Sequence, residues 1–271
     1  MSIKTTENVI GVTGADGFIG KHLLKLLSKN NEYRIVAFQG DLLNEKDIEN
    51  FYAEGVTTVV HLAGGFFGSF NDLININLVT TQNILVIGKK FGLRKIIYSS
   101  SGAVYGNTRN LKSYENDNLC PNTDYGFTKT CAENLIKMYS DGSGLEYIIL
   151  RFPNVYGEDN NKGVIFNFLK GIRDNGKVTV YGDGSAVRDF LYVDDACRAI
   201  VASLNYPNSD IFNISGISAL SINDLLQILS SKYTFEVVYE NANNALTNLT
   251  LNTSKAEKLL KFTPIIIKID L

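Results

Sequence analysis

Cysteine is scarce in this chain: the three in 271 residues, Cys120, Cys131 and Cys197, are odd in number and widely spaced. They form neither a disulfide framework nor the paired spacing of a zinc site, which points to a reduced, cytoplasmic setting. No apolar run approaches the roughly 18 residues that would span a bilayer, and no charged, apolar, small-residue leader opens the sequence. Neither a membrane protein nor an exported one is expected. The net charge is only -2, which gives no support for nucleic acid or an anionic membrane as partner. Histidine occurs twice, as His22 and His61, and no metal site is expected. Internal repeats and low-complexity tracts are absent. What remains is ordinary globular composition, 45% hydrophobic and 20% charged, in a chain long enough for one large domain or a large and a small lobe.

The apolar pattern alternates between strand and helix over the first 150 residues. ENVIGVTG reads as a short buried strand, FIGKHLLKLLSKN carries apolar residues at helical spacing, and YRIVAF is a second strand. NEKDIENFYAEG is helical, TTVVHLAG a strand, NDLININLVTTQNILVIGKKFG a long helix, and RKIIYSSS a strand ending in hydroxyls. LEYIILRF is another strand. This order predicts an α/β fold, a doubly wound parallel sheet with helices on both faces. Beyond Arg151 the texture changes to a smaller mixed α/β lobe holding GVIFNFLKGIRDNG, KVTVYGDG, VDDACRAIVASLN, IFNISG, SINDLLQILSSK and FEVVYE. The expected division is 1–152 for the dinucleotide domain, with 188–206 packing back on it, and 153–271 for the small lobe. The Asn- and Thr-rich stretch 241–250 is expected to be a mobile loop.

Two constellations carry chemistry. In GVTGADGFIGKHLL, Gly14, Gly17 and Gly20 follow a strand and open a helix. Glycines there let the backbone turn tightly and approach a pyrophosphate, which the helix's free N–H groups receive. The plain alternative is an αβ turn that binds nothing. Tyr125 and Lys129 stand four apart in DYGFTKTCAENLIKMY, so on a helix they share a face. A cation beside a phenol favours the phenolate and brings it toward the working pH, making a general acid and base. A solvated helix pair is the plain reading here, a strand-end hydroxyl that of Ser101, and a satisfied core histidine that of His61.

Gly14-x-x-Gly17-x-x-Gly20, SSSGAVYG (99–106), Tyr125-x-x-x-Lys129, RFPNVYG (151–157) and RDFLYVDD (188–195) occur in this order. Together they resemble the extended short-chain dehydrogenase/reductase family, in particular its NAD-dependent epimerase/dehydratase branch acting on nucleotide sugars. The resemblance spans nearly the whole chain and implies a Rossmann-type dinucleotide domain. It implies that Ser101 hydrogen-bonds the sugar oxygen at C4, that Tyr125 is the acid or base on that oxygen, and that Lys129 holds the nicotinamide ribose and lowers the tyrosine. Phe18 and Ile19 of the glycine turn, with Ala63, Gly64 and Phe152, would line the cofactor, and Asp41 and Leu42 would meet the adenine. Asn154 and Arg188 would hold the sugar nucleotide, the arginine because its planar fork suits phosphate; a surface ion pair with Asp189 is the alternative. Tyr181 packs on the base in this reading, or else belongs to the core.

Departures narrow the reaction. Gln39 stands where relatives carry an acid for the adenosine ribose, and the following segment is short. NAD and NADP both stay open, with a lean to NAD because no Arg or Lys follows the strand and Asp16 lies in the turn. Gly102-Ala103 replaces the Asp-Glu pair of the 4,6-dehydratases, excluding that chemistry, and the Cys and His of the GDP-fucose synthase type are missing. A 4-keto-6-deoxy nucleotide-sugar reductase is put first, since a shortened adenosine side suits an exchanging cofactor. The alternative is a nucleotide-sugar 4-epimerase with tightly held NAD, and a minor one is a non-catalytic dinucleotide sensor. The resemblance further implies a homodimer through the helices at about 72–92 and at Tyr125. It also implies one more C-terminal helix after LNTSKAEKLLKFTPIIIKIDL, so that either the small lobe is reduced or part of the end is absent.

Overall fold

The computed structural model describes residues 8–29, 32–107, 112–241 and 248–265. Most of the stretch expected as a mobile loop, and the segment after Ile265, lie outside them. The first half runs β1 (Val9–Thr13), α1 (Phe18–Leu27), β2 (Arg34–Ala37), α2 (Glu45–Ala53), β3 (Thr58–His61) and α3 (Phe70–Ile74). A π-helical turn (Asn75–Val79) joins α3 to α4 (Thr80–Lys90); then come β4 (Lys95–Ser101), a 3-10 turn (Gly102–Tyr105), α5 (Asp124–Ser140) and β5 (Glu146–Phe152). The second half holds β6 (Asn154–Tyr156), α6 (Val164–Asn175), β7 (Lys177–Tyr181), β8 (Val187–Tyr192), α7 (Val193–Leu204) and β9 (Asp210–Asn213). β10 (Ala219–Ser221), α8 (Ile222–Ser230), β11 (Glu236–Glu240) and α9 (Ser254–Leu259) complete it.

Six strands form one parallel sheet in the order β2-β1-β3-β4-β5-β9. Strands covered on both faces need apolar residues at successive positions, and β1 is buried throughout. Alternation then sends neighbours to opposite layers. Ile97, Ile148 and Leu150 pack with Leu23 of α1 and Ile200 of α7, whereas Ile96 and Ile149 pack with Ile48, Ile84 and Ile136 of α2, α4 and α5. The chain leaves β1 toward β2 and then crosses to β3 on the other side. That reversal opens a crevice at the carboxyl ends of β1 and β3, where sheets of this kind bind ligands.

The strand of IFNISG, expected in the small lobe, is β9 and extends the main sheet beside β5. Phe212 and Asn213 are buried there, and the seven-residue strand β5 offers it a full edge to pair with. The remaining strands make a three-stranded sheet, β10-β8-β6, and the pair β11-β7. Among the described residues no helix is long and apolar enough to cross a membrane.

Candidate active site

At the carboxyl edge of the sheet lies a cleft of about 580 Å³. Gly14, Gly17, Phe18, Ile19 and Gly20 form one wall, and Gly64, Ser101, Tyr125, Lys129, Phe152 and Asn154 line the rest with their neighbours. Gly14 has φ +67°, and a Cβ there would stand 2.7 Å from the Ala63 backbone nitrogen. A Cβ on Gly20 would meet the Gly14 carbonyl oxygen at 2.1 Å. The turn is thus pressed against both the end of β3 and its own helix, which only bare backbone permits. α1 starts without a side-chain cap and without an acid in its first turn, so its N–H groups and dipole remain available to an anion.

The predicted triad converges. Thr123 caps α5, accepting from Gly126 N at 3.1 Å, and the first turn of that helix presents Tyr125 toward the end of β4. Ser101 stands beside the Tyr125 phenol, close enough to draw its pKa down, and its Oγ accepts from Ala103 N at 3.1 Å. Lys129 is buried, and its Nζ donates to the Ser99 carbonyl at 2.8 Å and lies 4.6 Å from the centre of the Tyr98 ring. Burial pulls this amine down to about 8, with Glu133 opposing the fall. Burial also raises the Tyr125 phenol, with Ser101 beside it opposing the rise. This corrects one expectation: in this structure Lys129 is turned to a carbonyl and a ring, and the net displacement of Tyr125 is upward.

A pH dependence follows for Lys129. Between about 8 and 10.5 the unfolded chain binds the lysine proton and the folded chain does not, so stability rises with pH across that window by at most about 1.4 kcal/mol per unit. Denaturant titrations at a series of pH values should show this gain in the wild type and not in Lys129→Met.

Other expected residues are placed differently. Asp41 is tied into the turn before α2: its backbone N–H donates to Asp47 Oδ2 at 2.8 Å and its Oδ1 accepts from Leu43 N at 2.8 Å. Leu42 is buried with Phe38 and Ile48, its carbonyl held by Asn83 Nδ2 at 2.9 Å. Neither is among the residues that line the cleft. Ala63 stands behind Gly14, its N–H donating to Thr13 Oγ1 at 3.3 Å. Tyr181, at the end of β7, is 60% exposed, so it is not core, and it does not line the cleft. Arg188, on β8, is partly buried, with no ion pair among the described residues. Its Nε is enclosed without a hydrogen-bond partner, and burial lowers the guanidinium.

Several supporting residues escaped the sequence reading. Buried Asn77, on the π-helical turn, donates from Nδ2 to the Gly65 carbonyl (2.8 Å) and Thr128 Oγ1 (3.1 Å), and its Oδ1 accepts from Gly65 N (3.0 Å). It braces the loop after β3 against α5. Its only signal was an amide, one of two with Asn75, in the otherwise apolar run ININLV. Glu133, one turn beyond Lys129, is fully buried with Arg151: Nε to Oε1 is 3.0 Å and the second guanidinium bond to Oε2 is 2.7 Å. Ser100 Oγ adds a 2.5 Å bond to Glu133, and Arg151 also donates to the Tyr105 hydroxyl at 2.6 Å. Burial opposes the guanidinium charge, but Glu133 and Tyr105 together hold it above its ordinary range. Phe66 lies edge-on to Tyr125, ring centres 6.1 Å apart. Lys162 sits 5.0 Å from the Phe66 ring centre and 5.6 Å from that of Phe67.

His61 is a core histidine, as its plain reading held. It is buried between Thr13 Oγ1 (2.7 Å from Nδ1) and Thr81 Oγ1 (3.1 Å from Nε2), and burial with Lys129 nearby lowers it to about 3. Thr81 Oγ1 donates to the Asn77 carbonyl, so Nε2 carries the ring proton and Nδ1 accepts from Thr13. Among the described residues no cluster of His, Cys, Asp and Glu could hold a metal ion.

Known proteins agree with the motifs. The model of the NAD dependent epimerase/dehydratase family matches residues 10–215. A putative UDP-glucose 4-epimerase of Methanocaldococcus jannaschii is 33% identical over 282 residues, 93% of this chain and 92% of that protein. The dTDP-4-dehydro-6-deoxyglucose reductase of Escherichia coli is 29% identical, covering 83% of this chain and 82% of its own length. The crystal structure of UDP-glucuronic acid 4-epimerase from Bacillus cereus, with UDP-glucuronic acid and NAD, superposes with a TM-score of 0.88 at 28% identity, covering 96% of this chain and 95% of that one. Motifs in order, a glycine-walled cleft holding Ser101, Tyr125 and Lys129, and these likenesses lead to one conclusion: the chain belongs to the NAD dependent epimerase/dehydratase family.

Proposed function

We propose that this chain is a nucleotide-sugar 4-epimerase that keeps NAD bound between turnovers. The carrying observation is the convergence of Ser101, Tyr125 and Lys129 on a cleft whose opposite wall is the Gly14 turn. The residues fit the dinucleotide: the turn leaves no room for a Cβ, and α1 opens without an acid. Bound NAD would supply the acceptor and donor of hydride at C4. Tyr125, held as the phenolate by the positive charge that a bound nicotinamide would bring beside it, would take the C4 hydroxyl proton as hydride leaves and return it when hydride comes back to the other face of the ketone. Ser101 donates to the C4 oxygen as charge builds there. Lys129 would hold the nicotinamide ribose.

The ketoreductase, put first from the sequence, rested on a loosely held adenosine end. The near full-length likeness to 4-epimerases outweighs that premise. Stoichiometric NAD in native mass spectra, with conversion of UDP-glucose or UDP-glucuronic acid lacking added cofactor, is the expected result. An empty site, with dTDP-4-keto-6-deoxyglucose consumed only when NADH is supplied, would return the assignment to the reductase.

Arg188 and Asn154 are assigned to the substrate diphosphate. An enclosed guanidinium with an unpartnered Nε is costly alone and strong against phosphate. Arg188→Met should weaken UDP binding, measured calorimetrically, by about 10–100-fold, consistent with 1.5–3 kcal/mol for a charged hydrogen bond. Its thermal midpoint should not fall.

A homodimer is proposed through α3–α4 and α5. Phe70 and Phe127 stand exposed with ring centres 6.1 Å apart, and Ile76, Val86 and Met138 are exposed on the same helices. A contiguous apolar face of this kind marks an interface. Sedimentation at micromolar concentration should give twice the chain mass, and a monomer would remove the dimer.

A further inference from the structure

His22, on α1, takes no part in the chemistry proposed above, yet it joins three elements. Its Nδ1 is 2.9 Å from Asp194 Oδ1, in the first turn of α7, and its Nε2 is 3.1 Å from the carbonyl oxygen of Glu158. A carboxylate and a backbone carbonyl both accept. A neutral imidazole carries one N–H, so only the imidazolium satisfies both partners. The side chain is 12% exposed, which leaves little water to take over a lost bond. Phe18 packs edge-on against the ring at 5.7 Å.

Glu158 belongs to a loop, residues 157–163, with positive φ at Gly157 (+152°), Asp159 (+65°) and Gly163 (+91°). Asp159, Asn160, Asn161 and Lys162 from this loop line the cleft. Lys162 reaches across to Phe66 and Phe67, and Phe66 abuts Tyr125. We propose that His22 is a positioning residue: as an imidazolium it pins the Glu158 carbonyl to α1 and α7, and so holds the 157–163 loop as one wall of the cleft. As pH rises and one ring proton leaves, one acceptor loses its donor and the root of the loop is released. The charged groups on the elements that meet at the ring are Asp194 of α7, Glu158 and Asp159 of the loop, and Lys21 and Lys25 of α1 itself. Cys197 of α7, pushed up to about 12 by burial and then by Asp194, contributes no charge in this range.

The inference rests on the cleft being the ligand site and is independent of which reaction occurs there. With two histidines in the chain, nitrogen-15 imidazole spectra resolve each ring without turnover. At about pH 6 one ring should have both nitrogens protonated, and its signals should vanish in His22→Gln; the other, His61, should be neutral. Between about pH 5 and 8, where histidine changes charge, amide protection at 157–163 should fall by up to about tenfold per unit once the ring titrates, after correction for intrinsic exchange. Asp194→Asn, whose amide can donate to a neutral ring, should abolish that dependence, and His22→Gln should keep one pH-independent donor toward Glu158. A neutral His22 at pH 6, or protection unchanged across the range, would overturn the proposal.

Discussion

Tyr125→Phe is expected to lower turnover of a nucleotide sugar by about 10²–10⁴-fold, the range general acid–base catalysis supplies, while NAD affinity and folding stay close to wild type. One hydroxyl is removed; the ring keeps its edge-on contact with Phe66 and its place on α5. Burial holds this phenol above its usual range, with Ser101 opposing, so in the protein without cofactor its loss uncovers no charge. NADH fluorescence titration and a thermal melt separate this outcome from a damaged site. A phenylalanine variant that kept a tenth or more of the activity would place the proton transfer elsewhere.

The second large effect is on stability. Arg151→Met should destabilise the fold by about 3–5 kcal/mol, because it strands the carboxylate of Glu133 in an interior it cannot leave. Both partners are essentially inaccessible, and Arg151 also braces Tyr105, which donates to Asn213 Oδ1 at 2.8 Å. Replacing both, as Arg151→Met with Glu133→Leu, should recover most of the loss, since an apolar pair of similar volume carries no desolvation cost. Denaturant midpoints of the two single variants and the double variant give the coupling directly. The pair also ties α5, which carries Tyr125 and Lys129, to β5 and, through Ser100, to β4. The stabilised double variant is therefore expected to recover folding more fully than turnover.

Much of this was legible along the chain. Apolar runs alternating with helical spacing are a direct consequence of strands buried on both faces, and the sheet follows from them. Tyr125, Lys129 and Ser101 were readable because their spacing encodes one helix face and one strand end. β9 was misplaced because a four-residue strand with two apolar residues reads the same in either lobe, and only pairing with β5 decides. Asp41 illustrates what the chain leaves unread: an acid after a strand also closes its own turn, its Oδ1 accepting from Leu43 N. Tyr181 and Arg188 sit on adjacent small sheets, where exposure depends on packing between segments far apart in sequence. Asn77, Glu133 and Arg151 were missed for a related reason: each acts through a partner from another element, and no local spacing announces such a pair.

The order of reductase and epimerase was inverted because few clamps on the cofactor's adenosine end, read from Gln39 and a short segment, weigh less than a near full-length likeness to 4-epimerases.

Hydride bookkeeping at C4 tests the central claim most directly. UDP-glucose or UDP-glucuronic acid carrying deuterium at C4, incubated with the purified chain and unlabelled free NADH, should yield both C4 epimers with the deuterium retained on that carbon. Label washed out into the free cofactor pool, or a C4 centre left uninverted by a folded, NAD-loaded protein, would contradict it.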